Sequence, residues 1–401
     1  MTIVTRILER IDGMGKWQRK FLLNLFVAIL ATHSRINFLN LSRHSSLNEK
    51  TYRRGFRRKF DFVRFNQQMI SEVIALESKK AFAQDASFSR KSGKRTFGLD
   101  KFWNGTSSRV ERGLEVSLIS IVDLQRNQSY ALSAEQTPSF NEIKAKQKQH
   151  SRIDFYLEHL QRASRYFPDG VKTGLFDGFY AKRKFVEGVL GLGFEVVSKL
   201  RADANLKYLY EGEQKRRGRK RKFDGKVYLD ELSRFEKVIV DENLLLYTKV
   251  LWSVSLKRKI RVVVLVNNKD EKNLRYVVLF STEIHLCGKQ IVDYYKARFS
   301  IEFIFRDAKQ FAGFSDCQST EKQVLDFHFN ASVSSVNLCR LMAQEKENTQ
   351  EKFVFSMSSI KQRFFNEHLL EIFIERLELD QRAIKNHPQF ESLRNYAAIA
   401  P

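Results

Sequence analysis

The segment DYYKARFSIEFIFRDAKQFAG, residues 293–313, restricts the fold more than any other part of the chain. Tyr295, Arg298, Glu302 and Lys309 stand at offsets of 0, 3, 7 and 14 residues. At about 100° per residue, these positions fall within an arc of roughly 60° on one α-helix, so their side chains stack as a single polar stripe. Phe299, Ile301, Phe303, Ile304 and Phe305 supply the apolar faces. Such a helix is largely buried, with one stripe turned toward something charged. A carboxylate between two cations suits a site that handles a metal ion and phosphates together.

The overall charge agrees. Lys plus Arg number 70 against 46 Asp plus Glu, a net of +24. An excess of this size implies a polyanionic partner, with nucleic acid first and a membrane surface second. The longest early apolar run, FLLNLFVAIL, is about ten residues, whereas a membrane span needs about 20. It also lacks a cleavage site of small residues, so neither a membrane anchor nor a signal peptide is expected. Cys287, Cys317 and Cys339 are scattered and read as reduced core thiols of a cytoplasmic protein. No His/Cys cluster has zinc spacing. The charge is uneven: residues 1–60 carry 13 Lys/Arg and three Asp/Glu, and KRRGRKRK at 215–222 is basic at seven of eight positions.

Five regions are expected. Residues 1–75 read as a helical DNA-binding region. Within it, Ser46 and Glu49 have capping-box spacing ahead of a basic helix presenting Lys50, Arg53, Arg54, Arg57 and Arg58. Residues 76–203 alternate: a strand ending near Asp85, the β-rich LEVSLISIVDL with a hairpin partner, a helix, a strand ending at Asp177, a helix closed by glycine, and FEVVSKL. Residues 204–285 read as a β-rich insertion. Residues 286–320 resume the first unit with one helix, GKQIVDYYKARFSIEFIFRDAKQF, and 321–401 are mainly helical. The expected fold class is α/β: an RNase H-like core interrupted by a β-rich insertion, with helical N-terminal and C-terminal regions. In that order of elements Asp85, Asp177 and Glu302 converge, and three carboxylates suit two Mg²⁺ ions, with Mn²⁺ as a substitute.

The segment YYKARFSIEFIFRDAK resembles the Y-x2-R-x3-E-x6-K signature of bacterial insertion-sequence DDE transposases. QDASFSRKSGKRTFGLDKFWNG, LFDGFYAKRKFV, FEVVSKLRADANL and RDAKQFAGFSDCQST are similar to the blocks around that family's acidic residues. The resemblance covers about residues 80–320. It implies that Asp85, Asp177 and Glu302 are the metal-binding triad, that Arg298 and Lys309 hold phosphates of the transposon end, and that Tyr295 contacts the same backbone. It further implies cleavage at terminal inverted repeats, strand transfer into target DNA, a homodimer in the paired-end complex and a nucleoid-associated location in a bacterial cytoplasm. A stand-alone nuclease and a non-catalytic DNA-binding derivative are the alternatives.

Lys215, Arg216, Arg217 and Arg219 of the basic loop, with Arg53 and Arg54 of the N-terminal helix, are candidate phosphate contacts. Trp252 reads as a core tryptophan or as the insertion's base-stacking residue, and Trp103 is a second stacking candidate. Asp100, Asp203 and Asp307 read as members of structural ion pairs. His328 reads as a buried helix histidine, and GVLGLG as a helix terminus rather than a phosphate loop.

Overall fold

A computed structural model describes residues 2–146, 149–241, 244–267, 275–347 and 355–399. Its centre is one mixed sheet. The strands are β1 (Lys80–Arg90), β2 (Asp100–Asn104), β3 (Arg109–Asp123), β4 (Gln128–Gln136), β5 (Thr173–Leu175), β6 (Glu195–Leu200), β7 (Leu206–Leu209), β8 (Phe223–Lys226), β9 (Glu236–Asp241), β10 (Leu244–Ser253), β11 (Arg258–Asn267) and β12 (Arg275–Ser281).

The first half is built around β1, which pairs antiparallel with β3 on one side and parallel with β5 on the other. β4 lies beyond β3, antiparallel, and β6 lies beyond β5, parallel. The β3–β4 hairpin turns on Asp123, whose carboxylate accepts from the Gln125 and Arg126 amides at 2.9 and 3.2 Å. Asn127 takes φ 50° there, a left-handed value that asparagine tolerates. Helix Arg152–Ala163 leads from β4 to β5, and helix Arg183–Gly191 leads from β5 to β6. The second of these ends before Gly193, which has φ +88°, so the GVLGLG glycines close a helix.

The strands of 204–285 continue the same sheet. β12 pairs antiparallel with β6, Val278 opposite Leu200, and the order runs on through β11, β10 and β7 to β8. β9 adds to β10.

At the other edge, β4 would leave backbone groups unpaired inside the protein. Two asparagines of the long helix Lys322–Glu347 take them. Asn337 accepts from the Ala131 amide at 2.9 Å and donates to its carbonyl at 2.7 Å, and Asn330 does the same with Ala134 at 3.2 and 2.8 Å. Side-chain amides therefore stand where a further strand would pair. His328 on this helix is buried and bonds the Gly313 carbonyl at 2.7 Å.

The N-terminal helices pack onto this assembly rather than standing apart: Phe62–Val73 against β4 and the long helix, and Lys16–Ala31 against Met357–Arg376. The basic helix Glu49–Phe56 is capped by Asn48, which accepts from the Thr51 amide at 2.9 Å, so the expected Ser46–Glu49 box does not form. Asn48 stands one residue ahead of the first helical turn, where a side-chain oxygen can reach that amide. The helix lies so close to Lys16–Ala31 that a Cβ at Gly55 would come within 2.1 Å of the Phe21 ring. Among the described residues, no helix is long and apolar enough to cross a membrane. Cys317 and Cys339 are buried free thiols, but Cys287 is exposed and sits at a helix N-terminus, not in the core.

Candidate active site

The expected single helix at 288–311 is two helices, Gly288–Arg298 and Ser300–Phe311, joined at Phe299. Ser300 explains the break. Its hydroxyl donates to the Ala297 carbonyl at 2.6 Å and meets the Ser129 hydroxyl of β4, while the Phe299 amide turns back to Lys296. Such local side-chain bonds compete with the helical ladder and bend it. The polar stripe is thereby divided, with Tyr295 and Arg298 on one segment and Glu302 and Lys309 on the next.

Asp85 lies in the middle of β1, not at its end. Asp177 follows β5 by two residues and caps the short turn Gly178–Tyr180, accepting from the Phe179 amide at 2.9 Å. The parallel pairing of β1 with β5 sets these two carboxylates side by side. Packing around Asp85, reinforced by the neighbouring Asp177 charge, pushes its carboxyl up to about 7. Burial raises Asp177 as well.

Arg298 joins this pair to the helix. Its Nη2 donates to Glu302 Oε1 at 2.7 Å, and its Nη1 lies 3.7 Å from Asp85 Oδ2. The residue is buried, and its Nε has no hydrogen-bond partner among the described residues. Its guanidinium also stands 5.5 Å from the Tyr295 ring centroid. Arg298 therefore sits between the first and third expected acids, and among the described residues no three His, Cys, Asp or Glu side chains are grouped to hold one ion. The donor set nonetheless fits a hard divalent cation: carboxylate oxygens, two of them mutually repelling, a repulsion that a cation between Asp85 and Asp177 would remove.

Residues 12–258 match the family described as DDE superfamily endonuclease. The chain belongs to the DDE superfamily endonucleases. The match spans Asp85 and Asp177 and stops before Glu302. No curated protein matches the chain. Membership makes this DDE endonuclease an enzyme of nuclease type, in a family that acts on DNA with divalent metal ions.

The remaining expected residues fall in several places. Lys309 donates to the Phe88 carbonyl at 2.8 Å and so ties its helix to β1. Arg53 pairs with Glu49 on its own helix, while Arg54 is exposed and has no ion pair among the described residues. Arg57 pairs with Glu321, and Arg58 lies 4.2 Å over the Trp17 ring. Lys215, Arg216, Arg217 and Arg219 are exposed on the loop between β7 and β8. The base of that loop is built. Gln214 donates to the Arg221 carbonyl at 2.8 Å and accepts from its amide at 3.0 Å, and Arg221 pairs with Asp224 at 2.6 Å. Trp252 is half-buried on β10, 5.5 Å from the Phe223 ring at the foot of the loop and opposite Lys207 and Lys259. Trp103 is exposed on β2. Asp100 pairs with Arg152, Asp203 with Arg201, and Asp307 with Arg306.

Two features of the site go beyond the sequence reading. Tyr180 is buried against the acidic pair, whose charges add to burial in raising its phenol. Arg298, expected as a phosphate ligand, is the bridge between Asp85 and Glu302. An arginine four residues before a glutamate in the sequence is the signal that points to it, although the two stand on either side of the joint at Phe299.

Proposed function

We propose that this DDE endonuclease is a transposase that cleaves DNA at the ends of a mobile element and transfers the strand into target DNA. One observation supports the reading: Arg298 bridges Asp85 of β1 and Glu302 of a later helix, and the parallel pairing of β1 with β5 brings Asp177, just beyond β5, beside Asp85. The order of elements supports an RNase H-like core. β1, β3 and β4 lead as an antiparallel set, with the short β2 added to β3, and two parallel strands follow, each reached through a helix. The Y-x2-R-x3-E-x6-K residues on 295–309 support the insertion-sequence affiliation.

Asp85, Asp177 and Glu302 hold the divalent ions, Mg²⁺ or Mn²⁺. Those ions, when bound, supply an activated oxygen nucleophile and charge stabilisation at the leaving oxygen. Asp85 and Asp177 reach that state by losing the proton that burial favours. Arg298 releases Glu302 and keeps a positive charge where the phosphate lies, with Tyr295 stacked beneath it. The 215–222 hairpin and Arg54 hold DNA backbone, and Trp252 with Phe223 offers an aromatic face beside that hairpin. Two protomers pair the two ends.

The test is a nicking-and-joining assay. Labelled duplexes carrying the DNA that flanks the gene are incubated with wild type or Glu302→Gln and with Mg²⁺ or Mn²⁺. Nicks at a repeat boundary plus joined products, both lost in the variant, are expected. Nicking without joining would replace the transposase by a stand-alone nuclease. Binding without cleavage would leave a DNA-binding derivative.

A further inference from the structure

The face of the sheet that carries Asp85 extends well beyond the acids. Asp85 pairs directly with Leu118 of β3, so the two share a face, and alternation puts Val116, Leu114, Arg112 and Val110 on it as well. Leu118, Val116 and Leu114 are buried. Past the end of β1, β3 continues against β2 alone, with Arg112 opposite Lys101 and Val110 opposite Trp103. All four of these side chains are exposed, Trp103 at 59% and Val110 at 58%.

Both pairs are poor choices for a surface that meets only water. Like charges directly opposite on neighbouring strands repel. Among the described residues neither Lys101 nor Arg112 has an acidic partner to offset this, and Arg112 bonds the Gly93 carbonyl at 3.2 Å. Beside them a tryptophan and a valine stand in solvent. The hairpin is nonetheless held stiffly from its other face. Phe102 is buried there, 4.3 Å beneath the Arg152 guanidinium, and Asp100 pairs with the same arginine at 3.2 Å. At the tip, Glu111 accepts from Asn104 at 2.8 Å and from Arg109 at 2.6 Å. A firm two-stranded projection therefore presents two cations and an apolar pair on the catalytic side of the sheet.

That chemistry matches the wall of a duplex. Cations take backbone phosphates, and deoxyribose offers apolar edges along the minor groove. An acidic protein surface would also answer the charges, but this face is continuous with Asp85, over which cleaved DNA passes. Arg112 stands six residues along β3 from Leu118, and at ~3.4 Å per residue that is ~20 Å, the rise of about six base pairs.

We propose that the β2–β3 hairpin is a wing that grips paired DNA about six base pairs from the cleaved phosphate, with Lys101 and Arg112 on phosphates and Trp103 and Val110 against minor-groove sugars. No base leaves its stack. The inference rests on DNA being cleaved at the acids and adds a fixed point of attachment on the β2 side of them.

The test is hydroxyl-radical footprinting, which reads access to deoxyribose, on a labelled duplex carrying the DNA that flanks the gene. The full chain is compared with two double variants, Trp103→Ser with Val110→Ser, and Lys101→Gln with Arg112→Gln. Circular dichroism would confirm that both are folded. Wild type is expected to protect a run of sugars centred about six base pairs from the nick. The first variant is expected to lose that run alone. The second is expected to flatten the log–log salt dependence of binding by about 1.8, at about 0.9 for each phosphate. A footprint and a salt slope unchanged in both variants would overturn the wing and leave the DNA reading standing. A change of oligomeric state with the footprint intact would also overturn it and assign the face to a second copy of the chain. If wild type binds without nicking, the loss or survival of the protected run still decides the wing. Failure to bind any duplex would remove the DNA reading and the wing with it.

Discussion

Arg298 holds Glu302 at 2.7 Å through Nη2, across the joint where one helix ends and the next begins. The same guanidinium faces Asp85 at 3.7 Å, so a single cation balances acids from a strand and a helix. Replacing it leaves two carboxylates without their partner in a partly desolvated site. Arg298→Gln should lower cleavage at least a hundredfold, since one positioned charge at a reacting phosphate is worth several kcal/mol. Arg298→Lys should recover only part of this, because an ammonium cannot bridge two acids as a planar fork does. Single-turnover cleavage rates of the three proteins check this.

Asp85 gives a pH dependence. Its carboxyl titrates at about 7 in the folded protein, above the ordinary value of 3.8. The folded state therefore holds a proton that the unfolded state releases, and metal-free stability falls as pH rises from about 4 to about 7. At about 1.4 kcal/mol per unit, the penalty above pH 7 is on the order of a few kcal/mol. Asp85→Asn should remove most of it, being more stable than wild type at pH 8 and similar at pH 4.5. Chemical unfolding in chelator at both pH values measures the difference. Adding Mn²⁺ should stabilise wild type at pH 8 and leave the variant unchanged.

Lys309 is exposed, and its ammonium also anchors its helix to the protein. Its ammonium bonds the Phe88 carbonyl on β1. Lys309→Met should cost about 0.5–1.5 kcal/mol of stability, the range for a typical hydrogen bond, because the exposed ammonium is partly solvated. Urea unfolding reads this directly. An unchanged midpoint would return Lys309 to a purely phosphate-binding role.

Asn337 seals the β4 edge with two hydrogen bonds. Asn337→Leu strands a buried amide and a buried carbonyl, so a drop of about 2–4 kcal/mol is expected from two unsatisfied groups. Asn337→Asp should cost as much, because it keeps the acceptor but brings a charge into the core. Thermal unfolding compares them.

The loop at 215–222 should act through charge alone. Replacing Lys215, Arg216, Arg217 and Arg219 with Gln should weaken binding to any duplex and flatten its salt dependence by about 0.9 in log–log slope for each phosphate no longer neutralised. Stability should stay within about 0.5 kcal/mol, because these side chains are exposed.

Much of this architecture is legible in local patterns. LEVSLISIVDL reads as a strand because it is rich in β-branched and other apolar residues, and β3 is buried on both faces from Val116 to Asp123. Tyr295, Arg298, Glu302 and Lys309 can be picked out because a polar stripe interrupts an otherwise apolar segment. The joint at Phe299 is not legible. Its cause is a serine whose partner, Ser129, is 171 residues away in sequence. The short strands β2, β7 and β8 escape a sequence reading because four or five residues carry too little periodicity to separate from turns. Asp85 is expected near a strand end, yet β1 runs on to Arg90 because β3 is long enough to pair with all of it. Long-range pairing decides these cases.

The continuous sheet also acts as a ruler. From β5, which delivers Asp177, six strand-to-strand steps lead through β6, β12, β11, β10 and β7 to β8, whose leading loop carries the exposed cations. At ~4.8 Å per step this is ~29 Å, the rise of ~8 base pairs of duplex at ~3.4 Å each. Every step is a ladder of backbone hydrogen bonds, so the separation resists stretching. On the proposed reading, a duplex that touches both the loop and the carboxylates spans less than one helical turn, and a shorter one is expected to engage only one end of the ruler.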